Sequence, residues 1–296
     1  MLKPNRISLN SIRVFLEVAD GGSVKLAAAM LGVTPGAVSH QIRSLETAMG
    51  VQLLNRSNNS VCLTDIGAEF ASRLRPGLQG IEHAIQAAVS GVDDVSVLVP
   101  ITLATRWLIP RLEHFHNKHP DLHIRIETTA QSGTPGDTGT DIAIAYHPAG
   151  TGPSDAEILF EDRCRPYLSP DLLSKIADPT DLAQIPALQS ARGNWDWRLW
   201  LESNGKASTR LNYAGQFDLD DAALRGAISG LGMVLAPYFI IEDDLTSGRL
   251  LALPATKDIV LGAYTLHCPR PVSRQSDSFL SWLRENRAKT SAKLSS

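Results

Sequence analysis

The sequence predicts two folded parts joined by one long helix: a small helical part with a two-stranded wing, and a larger α/β part. Three observations lead to this prediction. The first 50 residues contain three short amphipathic patterns separated by glycines, residues 65–92 carry one apolar stripe, and from Val95 onward strand-like apolar runs alternate with helical patterns. A chain of 296 residues, 43% of them apolar, can form two cores of ordinary size.

Charge is divided unevenly along the chain. The net charge of −3 excludes a uniformly basic surface, yet residues 1–92 carry a net charge of +2 and the remainder −5. The cysteines Cys62, Cys164 and Cys268 are too far apart in sequence for a disulfide framework or a compact zinc site. The N-terminus lacks the apolar block of a secretion signal, and no apolar run could span a membrane, so we expect a cytoplasmic protein.

Two short helices are predicted before residue 33. The apolar stripe of the first consists of Ile12, Phe15, Leu16 and Ala19. Gly21 and Gly22 end this helix, Ser23 is a suitable N-cap for the next, and Gly32 ends that one. The stripe predicted for the second helix consists of Leu26, Ala27, Met30 and Leu31.

The third helix has a small polar outer face. Thr34 is the expected N-cap and Pro35 occupies the first helical position. The residues predicted to face inward are Val38, Ile42 and Leu45, and those predicted to face outward are Gly36, Ser39, His40 and Arg43. Such a face can enter the major groove of DNA and reach base edges and phosphates.

A two-stranded wing is predicted after this helix. The β-prone runs are residues 51–54 and 61–63, and the residues between them form a polar tip. Arg56 and the amide side chains of this tip could contact backbone phosphate.

The ordered set of these residues resembles a known family. Residues 22–46, followed by Gly50, residues 53–56 and residues 63–67, closely resemble the winged helix-turn-helix of LysR-type transcriptional regulators. Two positions depart from the family pattern: Leu54 stands where phenylalanine is usual, and Lys25 where a small hydroxyl or aromatic residue is commoner. Neither departure removes a residue from the outer face of the third helix.

The resemblance implies two kinds of DNA contact. The residues that match the family's base-reading positions are Thr34, Pro35, Ser39, His40 and Gln41. Those that match its backbone-gripping positions are Ser23, Arg43 and Arg56. Ser23 and Thr34 also have a purely structural interpretation as helix caps, and the two roles are compatible. His40 could equally be a solvated helix residue.

One long helix is predicted from Asp65, capped by Thr64. Its stripe consists of Ile66, Phe70, Leu74, Leu78, Ile81, Ile85 and Val89. In the family the corresponding linker helix pairs with its copy in a second subunit, which implies a homodimer on an interrupted palindrome. The alternative is that the stripe packs on the chain's own wing domain. Pro76 and Gly77 predict an interruption with a kink.

The remainder is predicted to be an α/β region with a mostly parallel sheet. Strands are expected at 95–99, 122–126 and 141–146, and a helix from Trp107 to Phe115. Here too the chain resembles LysR-type regulators, most closely the subgroup of glycine-cleavage and β-lactamase regulators. The matching segments are residues 107–112, Trp197 with Trp200, residues 230–235, residues 247–250, Tyr264 and residues 279–283.

The resemblance implies a two-lobed domain similar to type 2 periplasmic solute-binding proteins. The implied organisation is a winged helix-turn-helix at 1–64, a linker helix at 65–92 and an effector-binding domain at 93–296. Within the last, the first lobe would comprise about 93–163 and 263–296 and the second about 164–262, with crossings near Cys164 and Gly262.

A small-molecule effector is expected between the lobes. Thr102 and Thr105 follow the first strand, where free backbone N–H groups favour a carboxylate or another anion. The full set of expected effector contacts is Thr102, Leu103, Thr105, Tyr146, Trp197, Asp220 and Tyr264. The subgroup usually has Arg-Tyr-Gly at the end of its third strand, whereas residues 145–148 here read Ala-Tyr-His-Pro, so the effector can differ from those of close relatives.

Other functional patterns are weak. A metal site is not expected, because His114, His116, His119 and His123 have no carboxylate or thiolate at ligand spacing, and no cofactor is expected. The Ser-x-x-Lys pattern at residues 203–206 lacks its companion motifs. A redox switch between Cys164 and Cys268 remains an alternative mode of regulation.

The sequence as a whole is therefore interpreted as a transcriptional regulator. We expect it to bind promoter DNA as a homodimer or homotetramer, to respond to a small-molecule effector and to contact RNA polymerase. Two alternatives come from other classes: a solute-binding protein with a fused helical domain, and a small-molecule enzyme. The second is disfavoured because no ordered set of nucleophile and base residues is found.

Overall fold

The computed structural model describes residues 7–57, 60–90, 93–130, 132–133, 140–190, 192–268 and 272–294. The described residues up to Ser90 form one compact unit, and those from Asp93 onward form another. We call them the N-terminal unit and the C-terminal unit.

The N-terminal unit begins with the three predicted helices, α1 (Leu9–Gly21), α2 (Val24–Leu31) and α3 (Pro35–Met49). Ser23 and Thr34 accept backbone N–H groups as N-caps of α2 and α3. The residues that follow the three helices, Gly22, Gly32 and Gly50, adopt the left-handed conformation that glycine tolerates best. The predicted helix ends are therefore confirmed.

The inner face of α2 differs from the prediction. Leu26 and Met30 are 52% and 72% exposed, whereas Ala27 and Ala28 are buried. Small side chains let a two-turn helix approach its neighbours closely, so the alanines face the core and the larger residues face outward. The inward residues of α3 follow the prediction, and the core is completed by Phe15, Val38, Ile42, Leu45 and Leu53.

The wing consists of β1 (Leu54–Ser57) and β2 (Ser60–Leu63), an antiparallel pair in which Leu54 lies opposite Leu63. The first strand starts later than predicted, and Arg56 lies within it instead of at a loop tip. The cause is Glu46 of α3, whose carboxylate accepts the backbone N–H groups of Leu53 and Leu54 at 2.9 and 3.1 Å. These bonds hold the residues before β1 against α3. Residues 58 and 59 lie outside the described residues.

The long helix α4 spans Asp65–Ser90 and continues through Pro76 without the predicted interruption. Its first half packs on the chain's own core through Phe70, Leu74 and Leu78. In its second half Ile81 and Ile85 are 39% and 59% exposed. The stripe therefore packs on the N-terminal unit at Phe70, Leu74 and Leu78 and is exposed at Ile81 and Ile85.

The wing and α4 meet at a close approach that only glycine permits. A Cβ on Gly67 would lie 2.1 Å from the carbonyl oxygen of Leu53, whereas Gly77 in the same helix has open space. We expect Gly67→Ala to lower the free energy of unfolding by about 1–3 kcal/mol through overpacking. Gly77→Ala, the matched control, should be neutral or stabilise by up to about 1 kcal/mol.

Urea unfolding followed by far-ultraviolet circular dichroism will measure the difference between these two variants. All five tryptophans lie in the C-terminal unit, so their fluorescence transition should be the same in both variants. Equal stability of the two variants would contradict the close approach.

The C-terminal unit contains a seven-stranded sheet. Its order is β10 (Leu251–Ala252), β6 (Glu157–Leu168), β11 (Ile259–His267), β5 (Ile142–Pro148), β3 (Asp93–Pro100) and β4 (Leu122–Thr129), and β9 (Val234–Pro237) also pairs with β6. A second, parallel sheet pairs β7 (Pro186–Gln189) with β8 (Asn212–Gln216).

The prediction of a mostly parallel sheet is wrong. Only β4, β3 and β5 run parallel in the large sheet, and every pairing made by β6 and β11 is antiparallel. The reason is that the two long strands β6 and β11 run side by side in opposite directions, and β6 has two further antiparallel partners, β9 and β10. The predicted crossings at Cys164 and Gly262 lie within these two strands.

Helices pack against the sheets. The predicted helix at 107–115 is built from α5 (Ile101–Leu103), a π-helical turn (Ala104–Leu108), a 3-10 turn (Ile109–Arg111) and α6 (Leu112–Lys118). Pro110 cannot donate a backbone hydrogen bond, which explains why a regular α-helix does not continue through it. The remaining helices are α7 (Pro170–Leu173), α8 (Trp195–Ser203), α9 (Asp220–Ile228), α10 (Tyr238–Thr246) and α11 (Arg274–Leu294).

Candidate functional sites

The outer face of α3 is the candidate DNA-reading surface. Thr34, Pro35, His40 and Arg43 are exposed, while Ser39 and Gln41 are half-buried. An open groove of about 600 Å³ on this helix is lined by His40, Arg43, Ser44, Thr47 and Ala48. All the predicted base-reading residues thus lie on one short helix or at its N-cap, which the buried residues of the same helix fix to the core.

The electrostatics of this face suit an anionic partner. The acidic residue of α3, Glu46, accepts the N–H groups of Leu53 and Leu54 and is therefore engaged with the backbone before the wing. Arg43 lies exposed, with its Nε donating to the Ser39 carbonyl at 3.3 Å. A cation held on the helix surface, with no other carboxylate on that helix, is available for a phosphate.

Ser23 and Thr34 cap α2 and α3, as predicted. Thr34 Oγ1 accepts the N–H of Ala37 at 3.2 Å, and Ser23 Oγ accepts that of Leu26 at 3.4 Å. The structural role of both residues is confirmed, and their contact with DNA stays a prediction. The backbone of Arg56 lies in β1, and the position of the Arg56 side chain is not described.

The C-terminal unit holds a cavity of about 1260 Å³, the candidate effector pocket. Its wall includes the end of β3 and α5, the strands β5, β6 and β11, and the N-terminal ends of α8 and α9. The polar residues that dominate the lining are Thr102, Tyr146, Asp162, Asp196, Asp220 and Tyr264. Leu224, Leu235, Ile240 and Leu261 supply an apolar part of the wall.

Four of the seven expected effector residues line this cavity: Thr102, Tyr146, Asp220 and Tyr264. The other three do not. Leu103 is fully buried in the main core because it faces the opposite side of the α5 turn. Thr105 is exposed, and its hydroxyl donates to the carbonyl oxygens of Ile101 and Thr102. Trp197 is buried in a second core, where its indole N–H donates to Leu188 at 2.9 Å.

Asp162 forms a buried hydrogen-bonded group that the sequence analysis missed. Its Oδ2 accepts the Tyr146 hydroxyl at 2.7 Å, and its Oδ1 accepts the Cys164 thiol at 3.1 Å. Burial raises the pKa of Asp162 to about 6, while these two hydrogen bonds oppose the rise. The same burial, with the charge of Asp162, raises the pKa of Tyr146. The alternating inward and outward positions along β6 would have placed Asp162 on the inner face.

Two further carboxylates stand at helix N-termini. Asp196 lies in the first turn of α8 and accepts the backbone N–H groups of Asp196 and Trp197. Asp220 is the first residue of α9 and accepts a hydrogen bond from Ser190. Burial raises the pKa of both carboxyl groups, even though Asp220 is open to the cavity. Among the described lining residues there is no lysine, arginine or histidine.

Comparison with known proteins decides the family. Residues 9–68 match the model of the bacterial regulatory helix-turn-helix protein of the lysR family, and residues 93–288 match the LysR substrate binding domain. The chain belongs to the LysR family. The helix-turn-helix match covers α1 to the start of α4, and the second match covers nearly the whole C-terminal unit.

Curated relatives of this LysR-family chain are transcriptional regulators. It is 33% identical to the HTH-type transcriptional activator AmpR of Rhodobacter capsulatus, over 94% of this chain and 96% of that protein. It is 34% identical to the HTH-type transcriptional regulator TrpI of Pseudomonas aeruginosa, over 83% and 85%. It is 31% identical to the glycine cleavage system transcriptional activator of Escherichia coli K12, over 82% and 81%. The predicted family and subgroup are confirmed.

Solved structures of LysR proteins share the fold. The effector domain of AmpR from Pseudomonas aeruginosa matches with a TM-score of 0.58 at 28% identity, covering 68% of this chain and 100% of that one. CrgA, a LysR-type transcriptional regulator from Neisseria meningitidis, matches with a TM-score of 0.52 at 23% identity, over 95% and 99% of the two chains. The predicted fold class is confirmed.

The LysR family assignment confirms the coarse function. The chain is a transcriptional regulator that combines a DNA-binding helix-turn-helix with an effector-binding domain, and regulators of this family form oligomers. The relatives are regulators, so the enzyme and solute-binding alternatives are set aside. None of the helices in the described ranges has the length and apolar character that a membrane span requires. Within those same ranges, no three His, Cys, Asp or Glu side chains are grouped to hold a metal.

The redox alternative is contradicted by strand register. Cys164 pairs with Ile259 at the start of β11, and Cys268 directly follows the end of that strand at His267. Nine extended residues separate the two positions by about 30 Å. A disulfide needs Cα atoms within about 7 Å of each other. Burial also raises the pKa of both thiols, which disfavours the reactive thiolate.

Proposed function

We propose that this regulator reads an interrupted palindrome in promoter DNA with two copies of α3, and that a ligand in the effector pocket changes those DNA contacts. The observation that carries the proposal is that the pocket wall includes β6 and β11, which join the two lobes. A ligand that touches Asp162 on β6 and Tyr264 on β11 contacts both crossing strands. Such a ligand can favour one arrangement of the lobes, provided that its affinity differs between them.

The proposed DNA contacts divide by type. Thr34, Pro35, Ser39, His40 and Gln41 are assigned to base edges, and Ser23, Arg43 and Arg56 to the DNA backbone. The exposure of the N-terminal half of α3 supports the first set, because recognition helices contact bases with their N-terminal residues. The capping hydroxyls of Ser23 and Thr34 support a dual role, since helix N-termini favour phosphate.

The proposed assembly is a homodimer through α4, with a homotetramer as the larger unit. The uncovered Ile81 and Ile85 support the dimer, because an apolar stripe gains stability when a second copy covers it. The proposed domain limits are 1–64, 65–92 and 93–296, with lobes of about 93–163 with 263–296 and about 164–262. A promoter-bound regulator also implies contact with RNA polymerase and a cytoplasmic location.

The decisive experiment is a DNase footprint of the full-length protein on the intergenic DNA beside its own gene, at several defined salt concentrations. Protection of two half-sites about one helical turn or more apart is the expected result. Protection over several turns would favour the tetramer over the dimer. If that region stays unprotected, genome-wide binding should find paired half-sites elsewhere, and binding without them would contradict the palindrome.

We expect Arg43→Ala to weaken DNA binding on the order of tenfold for all sequences, because Arg43 would neutralise a phosphate and not read a base. The slope of log affinity against log salt should fall by about one unit. Fluorescence anisotropy with labelled operator DNA measures both quantities. Arg73→Ala is the control: Arg73 is exposed on α4 and pairs with Glu69 four residues away. Equal DNA affinity of the two variants would show that Arg43 does not contact DNA.

A further inference from the structure

The effector pocket is acidic. Four carboxyl groups line it, those of Asp162, Asp196, Asp218 and Asp220, and no cationic side chain belongs to the part of the lining that the structure describes. Two arginines whose side chains the structure describes near the lining are engaged elsewhere. Arg106 pairs with Asp221 and Asp244, and Arg165 pairs with Asp258 at 2.7 Å. The described lining of the cavity therefore holds several carboxyl groups and no cation to compensate them.

Two helix N-termini at the pocket, those of α8 and α9, already carry acidic residues. Helix N-termini usually attract carboxylate ligands through free N–H groups and the helix dipole. Here Asp196 lies in the first turn of α8, and α9 begins with Asp220 followed by Asp221. Two further helices reach the pocket: α5, which has only three residues, and α10, whose first turn carries no acidic residue. A carboxylate-bearing effector would thus meet like charge at the N-termini of α8 and α9.

Asp196 has an unused acceptor. The residue is only 6% exposed, and its Oδ1 atom has no hydrogen-bond partner among the described residues. A buried carboxylate oxygen without a donor is costly, so a ligand that supplies one gains binding energy. Asp162 differs, because both of its oxygens accept hydrogen bonds from Tyr146 and Cys164. Asp196 and Asp220 are therefore the receiving groups, and Asp162 is part of the wall.

We propose that the effector carries a cationic nitrogen, an ammonium or guanidinium group, that binds between Asp196 and Asp220. This inference rests on the proposed function, since it assigns the chemistry of the ligand in the same pocket. The tyrosines support it: the rings of Tyr146 and Tyr264 lie 5.1 Å apart in the wall, and aromatic faces attract cations. Leu224, Leu235, Ile240 and Leu261 can cover an alkyl body attached to the cation.

The test uses probes that differ in charge; cadaverine, glutarate and pentanediol share a five-carbon chain, and agmatine adds a guanidinium group. Cadaverine and agmatine are the cationic probes, glutarate is the anionic probe, and pentanediol is the neutral one. Each is added at millimolar concentration to the full-length protein, and the melting temperature is followed by tryptophan fluorescence, which reports the C-terminal unit. We expect only the cationic probes to raise the melting temperature, with an effect that weakens as salt increases.

Variants of the two aspartates test whether the cation binds between them. Asp220→Asn and Asp196→Asn should each weaken cation binding at least on the order of tenfold, because each removes a charge-assisted hydrogen bond. Asp171→Asn, an exposed residue paired with Lys175, is the matched control and should bind like the original protein. Asp220 is open to the cavity, so its variant carries the test even if Asp196→Asn does not fold.

The outcomes separate the two proposals. If glutarate alone stabilises the protein, or if neither cationic probe does, the cationic inference is overturned and the pocket remains the proposed effector site. Cation binding that neither pocket variant weakens would also overturn it. The same probes are then added to the DNase footprint. Cation binding that depends on both aspartates but never alters the footprint would support the ligand chemistry and overturn control of DNA contacts through this pocket.

Discussion

Replacing Arg106 by methionine will lower the free energy of unfolding of the C-terminal unit by about 3 kcal/mol, because it removes one of the two cations that pair with the buried Asp244 and with the partly buried Asp221. Arg106 lies in the π-helical turn and pairs through Nε with Asp221 of α9 and through Nη1 with Asp244 of α10, the latter at 2.7 Å. The side chain of Asp244 is only 1% exposed. Methionine keeps the length of the stem but supplies no charge.

Two features limit the size of this effect. Asp244 retains a second ion pair with Arg249 at 2.8 Å, and Asp221 retains one with Arg225 at 2.9 Å. Neither carboxylate is therefore left without any cation. For this reason we expect the lower end of the loss usually seen when one partner of a buried ion pair is removed, which is about 3–5 kcal/mol.

Arg225→Met is the matched control for Arg106→Met. Arg225 contacts the same carboxylate, Asp221, but its side chain is 76% exposed. Solvent screens such a pair, so its loss should cost less than about 1 kcal/mol. Urea unfolding followed by tryptophan fluorescence measures both variants, because every tryptophan belongs to the C-terminal unit. Similar stabilities would mean that the Arg106 cluster does not hold α9 and α10 to the π-helical turn.

Local sequence signals predicted the N-terminal unit well for a physical reason. Helix caps, glycine stops and apolar spacing act over a few residues, and each can be seen within one turn. Thr34 and Gly50, for example, mark the two ends of α3 as expected. The exception is α2, whose short pattern is compatible with either of two faces turned to the core. Whether Ala28 or Met30 is buried depends on how closely the neighbouring helices approach.

The effector pocket was predicted only in part because it depends on distant pairings. Thr102, Tyr146 and Tyr264 were found through the family resemblance. Asp162 and Asp196 were missed, because their relevance depends on an antiparallel sheet and on a helix end that bring separate segments together. The expected anion site at Thr105 was also misplaced, since its hydroxyl is satisfied within the turn. The charge of the pocket thus became visible only in three dimensions.

We expect a charge placed at Ile85 of α4 to break the proposed dimer. Ile85 is 59% exposed, and Ile81 lies one turn before it on the same stripe. If a second copy covers this stripe, Ile85→Asp buries an unpaired carboxylate in the interface, which is strongly unfavourable. We expect the full-length Ile85→Asp variant to sediment as a monomer at micromolar concentration.

Loss of the dimer should also be the largest single effect on DNA binding. Two linked copies of α3 bind a palindrome with an effective concentration that a monomer lacks, and such linkage is worth roughly 10²–10⁴ in affinity. We therefore expect Ile85→Asp to weaken binding to the full palindrome on the order of a hundredfold while changing binding to an isolated half-site little. Sedimentation velocity and fluorescence anisotropy on the two DNAs measure the two effects.

Ile66→Asp is the control because it places the same charge on the same helix. Ile66 is 52% exposed, lies in the first turn of α4 and is 19 residues from Ile85, or about 28 Å along the helix axis. An acidic residue in a first turn suits the helix dipole, so the fold should tolerate it. Only the proposal that the second half of α4 forms the interface predicts that Ile66→Asp stays dimeric while Ile85→Asp dissociates. A dimer that survives Ile85→Asp would mean that α4 is covered by something other than its own copy.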